Sequence, residues 1–187
     1  GIYGPMFTEM GMSTGSKWDQ LVFDLLKTGF TTECYDGQYF FDTDHPVLDE
    51  TGEEISVANT NGGAGPPWFL LDVSRAIKPI ILQKRRDFDF VAKDKLTDDN
   101  VFDNKEFVYG ADARGNVGFG FWQFAYGSKQ TLSAANYATA RAALSGMKGD
   151  YGRPLGIMPN LLVVPPSLES AGRKILNSEY ASGGETN

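Results

Sequence analysis

Residues Val101 to Tyr126 read VFDNKEFVYGADARGNVGFGFWQFAY, and this block constrains the fold more than any other stretch. It is rich in aromatics, punctuated by glycine and poor in groups that do chemistry. Val117, Phe119 and Phe121 alternate with Gly118, Gly120 and Trp122, a period of two that predicts a β-strand. The apolar set then shifts to Trp122, Phe124 and Tyr126. Such a change of parity predicts either a strand buried on both faces or a bulge that flips them. Large side chains spent on sheet surface favour a protein that makes contacts over one that turns over a substrate.

The N-terminal segment has a different rhythm. Tyr3, Phe7, Met10, Thr14, Trp18, Leu21 and Leu25 recur at spacings of three and four, which predicts a helix from about Met6 to Thr28. Gly11 and Gly15 each cost about 1 kcal/mol relative to alanine, so a break near Gly15 is the alternative. Gly29 suits the stop. The segment 34–67 reads as irregular. Within it, Tyr39–Phe41 is a short strand candidate, Asp49–Glu54 a hairpin tip turning at Thr51-Gly52, and Asn59–Pro67 (NTNGGAGPP) a loop.

Trp68–Leu71, Ile80–Leu82 and Asp87–Phe90 have strand length, and with the Val101–Tyr126 block they predict an antiparallel sheet of four or five strands over 68–126. Beyond it, Ser133 is placed as the N-cap of a helix running to about Met147. Leu161–Val164 reads as a strand, and Pro165-Pro166 opens a second helix through Leu176. The tail 181–187 is polar and glycine-rich, as chain ends often are. The class is therefore α+β. The expected parts are 1–130, holding the long helix and the sheet, and 131–187, a helix–strand–helix unit.

With 187 residues, 41% hydrophobic, the chain is long enough for a core of its own. Its formal net charge of −7 argues against a protein that coats nucleic acid, which needs clustered Lys and Arg. Cys34 is the sole cysteine, so no intrachain disulfide forms. No apolar run approaches the ~20 residues of a membrane-spanning helix.

The search for chemistry yields little. His45 is the sole histidine, and Cys34, Asp42, Asp44 and His45 could together surround a metal or a small molecule. One thiol and one imidazole fall short of a zinc set, and Asp42-Thr43-Asp44-His45-Pro46 reads better as a turn. Cys34 as a nucleophile would have His45 as its sole imidazole base, so a buried small hydrophobe is the simpler role. Ser145-Gly146-Met147-Lys148 matches S-x-x-K by letter, without the companion motifs, and Lys148 is placed against the negative end of a helix dipole. Gly62-Gly63-Ala64-Gly65 lacks the Lys-Ser/Thr of a phosphate loop. One basic patch stands out, Lys84-Arg85-Arg86 with Lys78, Lys93 and Lys95 nearby. It reads either as solvated residues at strand ends or as a surface meeting Asp98-Asp99 and Asp49-Glu50 of a neighbouring subunit. No catalytic, cofactor-binding or metal residue is assigned.

Five stretches together carry a resemblance: GIYGPMFTEMG, DQLVFDLLKTGFTTECYDGQYFFDTDHPV, WFLLDVSRAIKPIILQKRR, NKEFVYGADARGNVGFGFWQFA and LGIMPNLLVVPPSLESAGRKILNSE. In this order they resemble the major head (capsid) proteins of phage Mu and Mu-like prophages. The resemblance implies a Hong Kong 97-type capsid fold, with Met6–Thr28 as spine helix, 1–130 as a peripheral-type domain and 131–187 as part of an axial-type domain. It also implies an arm and most of an extended loop before Gly1 and a closing strand after Asn187. The implied function is a structural shell subunit of a tailed phage or prophage. Pentamers and hexamers would form an icosahedral shell around DNA, assembled in the bacterial cytoplasm and carried in the virion. The implied partners are the chain itself and scaffold and portal proteins, without sequence-specific nucleic-acid binding and without a membrane. An encapsulin-like nanocompartment shell is the alternative within the same fold, and an enzyme around Cys34–His45 the alternative outside it. No cofactor is implied.

Overall fold

The computed structural model describes residues 4–181. Tyr3 and the tail beyond Ala181 lie outside the described residues. In chain order the elements are α1 (Gly4–Thr28), β1 (His45–Leu48), β2 (Glu54–Val57), β3 (Thr60–Gly63), β4 (Trp68–Leu71), β5 (Ile80–Lys93), α2 (Asp99–Asn104), β6 (Val108–Phe119), β7 (Ala125–Lys129), α3 (Ala134–Ser145), β8 (Leu161–Val163) and α4 (Glu169–Ala181). The chain divides into two compact units: 1–26 with 81–118, and 27–80 with 119–187. This differs from the division at residue 130 expected from the sequence. The long ribbon β5–α2–β6 groups with the helix, whereas β4 and β7 group with the C-terminal third.

In the first unit α1 runs unbroken through Gly11 and Gly15, so the break near Gly15 does not occur. Its inward stripe is the expected one: Trp18 and Leu26 are buried and Leu21, Val22 and Leu25 half-buried. The Trp18 indole lies against the ribbon. Its Nε1 donates to Asp87 Oδ1 at 3.3 Å, its ring sits 5.2 Å from Phe88, and the Lys84 ammonium lies 5.3 Å from its ring centroid. Gly115 makes the approach possible, because a Cβ there would stand 2.5 Å from the indole. The ribbon is a two-stranded sheet by itself. Its far end carries α2, a helix inside the block expected to be strand. Asp98 Oδ2 accepts from Lys95 N at 2.9 Å, Asn100 Nδ2 donates to the carbonyls of Lys93 and Glu106, and Val101 is buried. These local bonds satisfy the backbone of the crossover and stop the strand pattern there.

The second unit is built on a four-stranded sheet in the order β3-β7-β4-β8. All four residues of β4 are buried, as are the first four of β7. The parity shift in the sequence thus has a structural cause: a 3-10 turn at Trp122–Phe124 hands the chain from β6 to a strand covered on both faces. Each fully buried large apolar side chain contributes about 1.5–3 kcal/mol. Phe30, Phe41 and Phe69 form an aromatic cluster with centroids 4.9 to 6.0 Å apart, and Phe40 stacks on Phe119 at 4.2 Å. Tyr39–Phe41 is not a strand. Phe40 N and Phe41 N donate instead to the carbonyls of Thr32 and Gly29, which ties this segment to the chain leaving α1.

Two further expectations are corrected. The glycine-rich 59–67 contains β3, which pairs parallel with β7, so the sheet is mixed and not purely antiparallel. The strands expected to make one sheet over 68–126 fall into two: β4 in the four-stranded sheet, β5 and β6 in the ribbon. The hairpin expected at Asp49–Glu54 is present. It joins β1 to β2 in antiparallel register, with Gly52 at φ 85° and Asp49 Oδ1 accepting from Thr51 N and Glu53 N. Ser133 caps α3 through Oγ, which accepts from Asn136 N at 3.2 Å. Gly120 N donates to Pro79 O at 2.8 Å, so the segment leaving the second unit and the segment returning to it are bonded at one point.

Candidate functional site

The strongest polar constellation lies in the second unit, where three short segments converge. The turn after Cys34 supplies Asp36, the start of β1 supplies His45, and the residue before β3 supplies Asn59. His45 Nδ1 lies 2.7 Å from Asp36 Oδ2, and its Nε2 lies 3.3 Å from Asn59 Oδ1. The imidazole is fully buried and stacks on Trp122, with centroids 3.9 Å apart and planes 8° from parallel. Cys34 Sγ donates to Asp36 Oδ1 at 3.0 Å. Asn59 completes the knot. Its Nδ2 donates to the carbonyls of Phe40, Trp122 and Ala125, and its Oδ1 accepts from Asp42 N at 2.9 Å. One side chain thereby fixes the 40–45 segment against the start of β7.

Charge follows from this wiring. Burial pushes the Cys34 thiol up to about 12, and its hydrogen bond to Asp36 adds to the effect. Burial works to raise Asp36 as well. Hydrogen bonds from Cys34, His45 and Gln38 N, with the charge interaction with His45, outweigh it and hold the carboxyl below its usual range.

Cys34, Asp36 and His45 each place one potential ligand atom within 4.8 Å of the others. In this arrangement the three side chains are bonded to one another. Burial and the Asp36 hydrogen bond favour the protonated thiol, so a cation bound there would have to displace that proton. Both Asp36 oxygens are taken within the knot, and the second imidazole nitrogen faces Asn59. The arrangement is a closed hydrogen-bond network that fixes loop geometry.

The sequence-derived set is therefore split. Cys34 and His45 come together, but Asp42 turns to its own loop, accepting from Tyr39 N and Thr43 N. Asp44 accepts from the Ser56 hydroxyl, across the β1–β2 hairpin. Asp36 and Asn59 were not singled out in the sequence. The Asp36-Gly37 turn was a signal for the former, while Asn59 sits in a stretch whose composition says loop.

A second buried carboxylate, Asp72, closes the end of β4. Burial works against its charge, but it accepts from Ser74 N, Ser74 Oγ and Met158 N, and with Arg75 nearby it is held below the usual range. It was also not singled out from the sequence.

The remaining motifs resolve as structure. Lys148 reaches Glu50 at 3.5 Å, beyond the end of α3, so the S-x-x-K letters describe a helix exit. Lys84, Arg85 and Arg86 lie inside β5 and not at strand ends. Lys84 pairs with Asp87 at 3.5 Å and Arg86 with Asp112 at 2.5 Å, both at exposed positions. Asp98 serves the turn before α2.

Exposed apolar surface is extensive in the first unit. Leu96 is 82% exposed and Phe102 79%, and Phe90, Val91, Phe107 and Val108 are also exposed, all toward the α2 end of the ribbon. Exposed apolar side chains grouped along one stretch of chain have the composition of a contact surface. Among the described residues no helix is long and apolar enough to cross a membrane.

Known proteins match this fold over nearly its whole length. The chain is 44% identical to the major capsid protein of Escherichia phage Mu, over all of this chain and 63% of that protein. It is 46% identical to the Mu-like prophage FluMu major head subunit of Haemophilus influenzae, over 96% of this chain and 60% of that one. Among solved structures, the procapsid of bacteriophage JBD30 superposes with a TM-score of 0.81 at 47% identity, covering 94% of this chain and 60% of that chain. The bacteriophage JBD30 capsid superposes with a TM-score of 0.76 at 30% identity, covering 92% and 59%. The chain thus spans about three fifths of the length of these relatives, and it has their α+β capsid fold. The family model describing the Mu-like prophage major head subunit gpT matches residues 1–187, and the chain belongs to that family.

Proposed function

We propose that this chain is part of a major capsid (head) subunit of a tailed phage or prophage, one that self-associates into the pentamers and hexamers of an icosahedral shell enclosing DNA. The observation that carries this reading is the match to the head-subunit family over all 187 residues, with backbone similarity to a phage procapsid. The physical features support it. The ribbon carries exposed aromatic and aliphatic side chains, among them Leu96, Phe102 and Phe107, and the polar cluster of the second unit is engaged in its own hydrogen bonds. A shell reuses each contact many times, so each can be weak while the whole is stable. The net charge of −7 suits a wall along which packaged DNA slides.

The reading contains no catalytic step. The unit of 1–26 and 81–118 takes the peripheral-type role, with α1 as spine helix, and the unit of 27–80 and 119–187 the axial-type role. Scaffold and portal proteins are the proposed partners, the host cytoplasm the place of assembly and the virion the final location. The named relatives are phage and prophage head subunits, which weighs against a nanocompartment shell.

Electron microscopy of a chain of the relatives' full length tests the proposal. Closed shells, or rings of five and six, are expected. Particles that remain monomeric at every concentration would overturn it. Metal analysis of the same sample checks the Cys34–His45 alternative, for which stoichiometric zinc or iron would be required.

A further inference from the structure

The β5–β6 ribbon carries two arginines whose side chains have no polar partner among the described residues. Arg85 and Arg114, with Gln83, Gly115 and Asn116, line a shallow notch of about 200 Å³. Their neighbours in the basic run are engaged, Lys84 with Asp87 and Arg86 with Asp112. Among the described residues, neither the Arg85 nor the Arg114 side chain has a hydrogen-bond or ion-pair partner. Guanidinium groups are shaped for paired N–H···O contact with a carboxylate or a phosphate. Two of them beside two side-chain amides make a notch for a pair of anionic groups.

The same ribbon presents such a pair at its other end. Asp99 and Asp103 stand four residues apart on α2, so their side chains project from one face about 5–6 Å apart at Cβ. Both are exposed and, among the described residues, accept no hydrogen bond. The tip that carries them is held by Asp98, by Asn100 and by buried Val101. Phe102, on the same helix, is 79% exposed. A carboxylate pair beside an apolar anchor has the composition of an interface core with a polar rim.

We propose that the Arg85–Arg114 notch receives Asp99 and Asp103 from the α2 tip of a second copy of this chain. This deepens the shell-subunit reading and rests on it. Charge complementarity selects the occupant. The chain is acidic overall, which disfavours nucleic-acid phosphate, and it carries the matching carboxylates itself. Donor and acceptor lie at different places on the ribbon, so one copy can give its tip to one neighbour and receive the tip of another, and such a contact closes into a ring where the rotation between copies allows it.

The test is a charge swap in a chain of the relatives' full length, read by light scattering as the protein concentration at which assembly begins. Arg85→Glu with Arg114→Glu should raise that concentration about tenfold or more, and Asp99→Lys with Asp103→Lys should do the same. All four substitutions together should return it toward the parent value. Since all four sites are exposed, melting temperatures should stay within a few degrees of the parent. If either pair proves to disturb folding, Arg85→Gln with Arg114→Gln replaces the basic pair and Asp99→Asn with Asp103→Asn the acidic pair, with loss of assembly and of its salt dependence expected. The proposal is overturned if the acidic or the basic pair assembles like the parent, or if the combined variant fails to recover. It is also overturned if the basic pair's sole defect is weaker retention of a double-stranded oligonucleotide, which would make the notch a phosphate site. A parent chain that forms no shells would sink the shell-subunit reading itself, and this contact with it, whereas normal shells from every variant would sink the contact alone.

Discussion

Trp18 shows how much one residue can reveal before a structure exists. Its place in the three-and-four rhythm marks it as buried, and it is, but its partners Asp87, Phe88 and Gly115 are far away in sequence and left no trace in the pattern. Trp18→Ala should destabilise the fold by about 3–5 kcal/mol in urea unfolding. Lys84→Glu should change the melting temperature little, since its pair with Asp87 is exposed. Comparable losses from both would show that the charge is part of the core. Cys34 offers a second residue-scale check. With its thiol pushed up to about 12, the folded chain at pH 8 should react with iodoacetamide two to three orders of magnitude more slowly than the unfolded chain, on the order of the lost thiolate fraction. Similar rates would mean the Asp36 hydrogen bond is not formed in solution.

Asp36 and Asp72 set the response to acid. Both carboxyls lie below their ordinary values in the folded state. Their contributions are therefore present above the carboxylate pKa of the unfolded chain, about 4, and are lost as pH falls through the lower folded values. Urea midpoints should drop below about pH 4, and Asp36→Asn should flatten part of that drop while lowering stability at neutral pH. An unchanged acid limb in the variant would remove Asp36 from the account.

At the scale of elements, legibility tracks how local the determinants are. The α1 stripe, the Thr51-Gly52 turn and the Ser133 cap are written within a few residues of where they act, and all three are found. β3 was not legible, because nothing in Thr60–Gly63 favours a strand; its order comes from pairing with β7, more than sixty residues away. α2 was hidden for the opposite reason, since strand-like aromatics surround a turn stabilised by Asp98 and Asn100. Of the polar knot, Cys34 and His45 were legible by rarity alone, and Asn59 was lost in a loop-like composition. One substitution tests the helix–ribbon packing. Gly115→Val must displace the Trp18 indole, so it should cost about 1–3 kcal/mol by overpacking. Near-infrared or visible probes are not needed, as tryptophan fluorescence would report the shift directly, and an unchanged spectrum with unchanged stability would contradict the packing described.

For the whole molecule, the sequence carried the class and the family, but not the partition. Length and hydrophobic content allowed one domain or two, and the division near residue 130 followed the change in character along the chain. The compact units instead interleave, because a ribbon of thirty-odd residues leaves the second unit and returns to it. The bond from Gly120 N to Pro79 O clasps that departure and return together. A clasp of this kind makes the ribbon an excursion. Its length or tip can be rewritten without changing the register of β4 on β7 or β8, since no strand of that sheet lies within it. Descendants of such a chain can lengthen, shorten or recharge the ribbon while inheriting the four-stranded sheet untouched, so the contacts the ribbon makes are free to diversify faster than the sheet from which it departs.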